Sequence, residues 1–506
     1  MERTKLGLGV LGAALVLGIL GDGLLRATPW GMNAPIWVAA LILSAGLLAR
    51  LGSMRLRDGE WWLAPLAVLF ASFVAWRAAP MLVFLNISTG LAALSLAAVR
   101  GRQGSLKLSG ILEYCLGGLY TGLCAVAGPV PAAVKDVEWR DVAHGRWQSA
   151  LAVTRGLLAA APLLLIFGGL FVAADAVFER LVRDVFDFGL DEIFGHLLLA
   201  GFLAWISAGF LRLVFLGREP DWTSTERPES LSLGTVEIGV ALGLLNALFL
   251  AFVVVQVGYL FGGLGEISAS GLAYAQYARR GFFELVAVTT LVLPLLLLAH
   301  WLFRPGSRGH ERLFKILAGS LLALLLVIMS SAFYRMWLYL EEFGLTELRF
   351  YTTAFMIWLA LVLAWFTFTV LLHDRRNRFA YGALLSGFAA VIILNVVNPD
   401  SVIARVNVSR MENGERFDPY YLTTLSADAA PVLVNALPKI GDKLLYEGKG
   451  ILPYDEKEQP VEDPTVGEAI VDRYKSETSS DWRTWNFSRW RAGNLAQSIS
   501  EAQSDR

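Results

Sequence analysis

The sequence predicts an all-α, polytopic transmembrane helical bundle of about 11 spans, N-terminus in and C-terminus out, with a small helical extracytoplasmic C-terminal subdomain. Three observations predict it. The 506 residues are 56% hydrophobic and only 17% charged, whereas a soluble domain is nearer half apolar and a quarter charged. Long apolar runs recur along residues 1–397, each near the roughly 20 residues that a helix needs to cross hydrocarbon. Lys and Arg collect in alternate connections, which sets an orientation.

The runs, in order, are Leu6–Leu25, Ala34–Leu48, Trp61–Trp76, Met81–Val99, Gly156–Val177 and Phe194–Leu216. Val236–Phe261, Gly281–Phe303, Leu313–Phe333, Tyr351–Leu372 and Phe379–Val397 complete the set. The first run has Arg3 and Lys5 in front but no A-x-A site behind it, so it reads as a span and not a signal peptide. Ser105–Val134 is apolar but broken at Gly117–Gly118, Gly128-Pro129 and Pro131, and reads as an interfacial or re-entrant piece. Basic connections carry Arg50/Arg55/Arg57, the run from Arg100 to Arg146, and Arg212/Arg218/Arg227. Arg304/Arg308/Arg312 and Arg375/Arg376/Arg378 continue the alternation. With these in the cytoplasm, the chain is a multi-pass protein of the cell inner membrane and everything beyond about residue 397 lies outside.

Polar residues gather at the outer helix ends. In "YARRGFFELV" two arginines, Arg279 and Arg280, and Glu284 head an apolar helix. Cations at a helix start oppose the macrodipole, and Arg280–Glu284 is the weaker order of an i,i+4 pair. The arrangement therefore needs another cause. Either the arginines reach lipid phosphates while Glu284 pairs across helices, or they form an anion site with the free N–H groups. The stretch "YRMWLYLEEFGLTELRFY", read as the next outer loop, adds Arg335, Glu341, Glu342, Glu347 and Arg349. "ILNVVNPDSVIARVNVSR" adds Asn395, Asn398, Asp400, Arg405 and Asn407, and the first outer turn adds Asp22 and Arg26. The candidate outer-face site is thus Asp22, Arg279, Arg280, Glu284, Arg335, Glu341, Arg349, Asn398, Asp400 and Arg405.

The tail, 398–506, is polar and holds short helices: Asp400–Met411, a piece broken before Pro431, and one opened by the Ser/Asp cap of "SSDWRTWNFSRWRAGNLAQSI". Trp482, Trp485 and Trp490 fall roughly on one face. They are expected to be the core of the subdomain; a lipid-headgroup surface, with Arg483, Arg489 and Arg491 alongside, is the alternative. The two cysteines, Cys115 and Cys124, read as packing residues, and the five histidines are scattered. No HExxH, CxxC or GxxxxGK[ST] occurs, so neither a metal nor a cofactor is expected, and no basic block suggests nucleic acid.

"YARRGFFELV", "YRMWLYLEEFGLTELRFYTTAFMIWL", "NPDSVIARVNVSR", "YLTTLSADAAPVLV" and "DWRTWNFS" resemble, in that order, motifs of a bacterial polytopic membrane family catalogued only as a domain of unknown function. The resemblance covers about residues 150–495, and "DGLLRATPWGMN" resembles the family's first outer turn. It implies an inner-membrane protein with no assigned reaction, substrate or catalytic residue. Two functions compete. The first is a non-enzymatic transport, sensing or envelope-scaffold role, with the lipid bilayer as surroundings, an anionic lipid or lipid-linked ligand outside, and a protein partner for cytoplasmic output. The second is a membrane glycosyltransferase, or a ligase or flippase, acting on a lipid-phosphate-linked substrate. There Asp22 would serve as base or metal ligand and arginine forks would hold the phosphate.

Overall fold

The computed structural model describes residues 2–52, 62–100, 110–139, 191–217, 234–261, 282–303, 307–373, 376–415, 418–442, 464–477 and 479–504, with parts of 156–186. These residues are 88% helical and contain no strand. Nine helices among them are long and apolar enough to cross a membrane. The protein is therefore a multi-pass integral membrane protein lodged in a lipid bilayer. Of the expected span Gly156–Val177, residues 156, 160, 163, 164 and 166–177 are described, helical except at Asp175, while Arg279 and Arg280 lie outside the described residues. Leu63–Trp76 forms an apolar helix of 14 residues, about 21 Å of rise, short of the ~30 Å hydrocarbon core.

The chain divides into two compact units, Met1–Pro220 with Ser479–Trp490, and Asp221–Thr478 with Arg491–Arg506. The first unit contains α1 (Glu2–Leu25), α2 (Asn33–Leu51), α3 (Leu63–Trp76), α4 (Pro80–Arg100), α5 (Ile111–Ala127), α6 (Pro129–Val134), α7 (Ala176–Phe186) and α8 (Asp191–Leu216). Its centre is the antiparallel pair α1 and α8. A Cβ on Gly18 would sit 2.6 Å from that of Ala204, so the two helices approach as closely as small residues permit. At one end, the buried Asp136 takes Arg3 at 2.7 Å and Arg212 at 2.6 Å. At the other, Asp22 takes Arg26 at 3.3 Å and His196 at 2.5 Å. From Arg3 to Asp22 the helix rises about 28 Å, close to a hydrocarbon thickness. Ser105–Val134 holds the 17-residue α5, then a break at Gly128, then α6.

The second unit contains α9 (Thr235–Phe261), α10 (Phe282–Leu302), α11 (Arg308–Phe343), α12 (Glu347–Phe366), α13 (Arg376–Val397), α14 (Pro399–Glu412), α15 (Pro419–Thr424), α16 (Ala430–Ile440) and α17 (Val466–Ser476). A last helix, α18 (Phe487–Ser504), runs from the first unit's closing segment into the second unit's final residues. Helices α9 and α11 run side by side in the same direction. Asn246 donates to Leu317 O at 3.0 Å, and Gln256 accepts from Ser331 and Arg335, each at 2.9 Å. One expectation fails here. The stretch Tyr334–Tyr351 is not an outer loop: α11 continues to Phe343, and only Gly344–Thr346 separate it from α12. Its charges suggested a loop, yet nothing before Gly344 breaks a helix.

Candidate functional site

The second unit gathers a polar cluster where three helices begin. α13 ends at Val397, and Asn398 turns the chain with φ 59°, a left-handed conformation that Asn tolerates better than most residues. Its Oδ1 accepts from Ser401 N at 3.3 Å as the cap of α14, while its Nδ2 donates to Asp428 O at 3.1 Å. Pro399 follows at the first helical position, where a missing N–H costs nothing. This places Asp400 in the first turn of α14, fully buried.

Asp400 Oδ2 accepts from the Ser426 backbone N–H at 3.0 Å and from Ser426 Oγ at 2.5 Å. Asp400 Oδ1 is buried and has no hydrogen-bond partner among the described residues. Around it stand Glu347 at the start of α12, Tyr351 one turn on, and Asp428 at the turn leading into α16. The Tyr351 hydroxyl is likewise buried and unpartnered among the described residues. Tyr421 Oη accepts the Glu347 N–H at 2.7 Å, and Tyr474 Oη donates to Ser426 O at 3.3 Å. Arg473 adds one cation to the surroundings and donates to Thr423 O.

The electrostatics follow from burial. Desolvation pushes the Asp400 carboxyl above the ordinary aspartate value; the Ser426 hydrogen bonds pull it back, the Asp428 charge raises it and Arg473 lowers it. Burial also raises the Tyr421 phenol, to about 12, with Glu347 N–H donation opposing and the charges of Glu347 and Asp400 adding. Tyr474 rises for the same leading reason. Both phenols therefore stay neutral, and the protonation that can vary is carboxylic.

A second constraint fixes the α11–α12 corner beside this cluster. Gly344 has φ 73°, and a Cβ there would meet Asn407 Oδ1 at 2.6 Å. Asn407, on α14, accepts from Leu345 N at 3.0 Å and donates to Leu345 O at 2.8 Å, pairing with the corner as a strand would. Arg349 donates to Gly344 O at 2.5 Å and lies 4.1 Å above the Tyr339 ring.

The residues expected at an outer-face site have separate fates. Asn398 and Asp400 belong to the cluster, and Arg349 holds the adjoining corner. Arg335 is buried inside α11 and donates to Gln256. Glu284, Glu341 and Arg405 are exposed on α10, α11 and α14. Asp22 lies in the first unit, committed to Arg26 and His196. Missing from the expected set were Tyr351, Tyr421, Ser426, Asp428 and Tyr474. For the first four the signal was the quoted stretches themselves, since "TELRFYTTAF", "NPDSVIARVNVSR" and "YLTTLSADAAPVLV" meet here; Tyr474 lies in none of them. Among the described residues, no group of three or more His, Cys, Asp or Glu has the placement of metal ligands.

No curated protein and no solved structure matches the chain. A family model does: the domain of unknown function DUF4153 matches residues 63–436, most of the chain and all of the cluster up to Asp428, and the protein belongs to that family.

Proposed function

We propose that the protein is a non-enzymatic membrane transport or sensing component whose working group is the Asp400 carboxyl. In this reading the N-terminus lies in the cytoplasm, residues 1–397 form the bundle, and residues 398–506 stand on the opposite side. The observation that carries it is the orphaned oxygen. A carboxylate kept only to brace Ser426 needs one oxygen, and Oδ2 does that work. Oδ1 is buried with no partner among the described residues, beside Glu347, Asp428 and Tyr351, at a cost of about 1–3 kcal/mol if nothing compensates it. Buried acids whose pKa is raised and that sit at membrane depth are where proton-linked proteins keep their titrating group. The smallest species that satisfies Oδ1 is a proton.

The test is infrared difference spectroscopy of the full-length protein in lipid nanodiscs across a pH titration. A buried carboxylic C=O band should appear above the ordinary aspartate range and vanish in Asp400→Asn. Acid-loaded vesicles containing the protein separate the two roles, since transport gives an Asp400-dependent proton flux and sensing gives the band without flux. A spectrum with no Asp400-dependent band would make the residue a static brace and end this reading.

A further inference from the structure

The tryptophans of the closing segment do not form a core. Trp482 is 61% exposed, Trp490 46% and Trp485 38%. What is buried instead is the polar side of the segment. Asn486 is 2% exposed and its Nδ2 donates to Val74 O and Arg77 O, both at 2.9 Å, covering the carbonyls left open at the end of α3. Ser488 Oγ donates to Trp76 O at 2.9 Å. Trp485 O accepts the Met32 N–H at 2.9 Å. Arg483 donates to Gly23 O at 2.6 Å and Arg489 to Trp30 O at 2.7 Å. The segment is a strap across the α1–α2 and α3–α4 turns, fixed by polar contacts, with its large aromatic rings turned outward.

The surface that those rings continue is already apolar. Below the turns, α1 exposes Leu15, Val16 and Ile19 at 60–63%, and α2 exposes Leu43 and Leu47. These are lipid-facing sides of membrane helices. The strap crosses them at the Asp22 end, about 28 Å of helix rise from the Arg3–Asp136–Arg212 cluster. That is the level where hydrocarbon gives way to headgroups and where indole rings, apolar with one N–H donor, collect. Trp30, 39% exposed in the α1–α2 turn, stands at the same level. The strap arginines are occupied by backbone carbonyls and by Asp481, so the contact does not depend on anionic lipid.

We infer that Ser479–Trp490 is an interfacial anchor, seating Trp482, Trp485 and Trp490 in the headgroup and carbonyl layer of the leaflet that borders the α1–α2 turn. The bilayer contact thereby reaches the ends of two helix pairs through hydrogen bonds and not through side-chain packing. A partner protein seated on the same rings is the competing occupant.

The experiment uses the full-length chain, with Cys115 and Cys124 replaced by serine, in phosphatidylcholine nanodiscs. Single cysteines at Trp482 and Trp490 carry a nitroxide, and its collisions with oxygen and with a water-soluble nickel chelate are measured. Ile19→Cys is the hydrocarbon reference. Labels at 482 and 490 should meet both relaxers to intermediate extents, more chelate than position 19 and more oxygen than a free label in water. Adding phosphatidylglycerol should leave the values unchanged. Accessibility equal to that of a label in water would place the strap outside the lipid and overturn the inference. Shielding from both relaxers would do the same in favour of a protein cover. Because the two rings are exposed, their replacement should leave the fold intact; matching thermal unfolding of both variants checks this.

Discussion

Asp400 puts a titratable group in a buried site, and that has a signed consequence for stability. Its folded-state value is raised above the unfolded one, chiefly by burial. Its contribution is therefore fully present below the unfolded pKa of about 3.9 and is lost as pH rises through the folded value. Thermal unfolding of the protein should show stability falling over that window, and Asp400→Asn should flatten the slope. An identical slope in the variant would remove Asp400 from the account. Asn398 gives a second residue-level prediction. Asn398→Gly keeps the left-handed turn but loses the cap, whereas Asn398→Ala loses both. The alanine variant should be less stable by about 1 kcal/mol beyond the glycine variant, the usual cost of a left-handed backbone without Gly or Asn, read as a difference in unfolding midpoint.

At the scale of elements, helix ends are held by side chains borrowed from distant segments. Gly344→Ala should destabilise the α11–α12 corner by about 1–3 kcal/mol, since it demands both a positive φ and displacement of Asn407; hydrogen exchange at Leu345 reads the loss. The α1–α8 pair makes a graded prediction. Arg212 is 19% exposed and Arg3 66%, and both bond the buried Asp136. Arg212→Ala should cost about 3 kcal/mol, as for breaking a buried pair, and Arg3→Ala under about 1 kcal/mol because water screens it. Equal costs would mean the cluster is not graded by burial. Much of this level was legible from sequence: apolar run lengths located the described spans, and Asn398-Pro399 located the end of the last one. Tyr334–Phe343 was misread because interfacial helix and outer loop share the same mixture of aromatic and charged residues. Trp482, Trp485 and Trp490 were misread because helical spacing gives one face without saying which medium that face meets. Asp400 was found and Ser426 and Asp428 were not, since their pairing depends on a fold-back that no local pattern encodes.

For the whole molecule, the proposed orientation is directly testable. A reporter active only in the cytoplasm should work when fused in the 304–312 connection and fail when fused after Ala436. Activity at the second position would reverse the sides assigned to Asp400 and the strap. The strap also sets a timetable. The carbonyls of Val74 and Arg77 and the Met32 N–H receive their partners from Trp485 and Asn486, which leave the ribosome some 400 residues later. At roughly 5–20 residues per second, that is on the order of a minute. During that interval these groups lack the partners that the strap provides, and a chain interrupted before residue 479 never gains them. The strap thus supplies late in synthesis the partners that the ends of much earlier helices need.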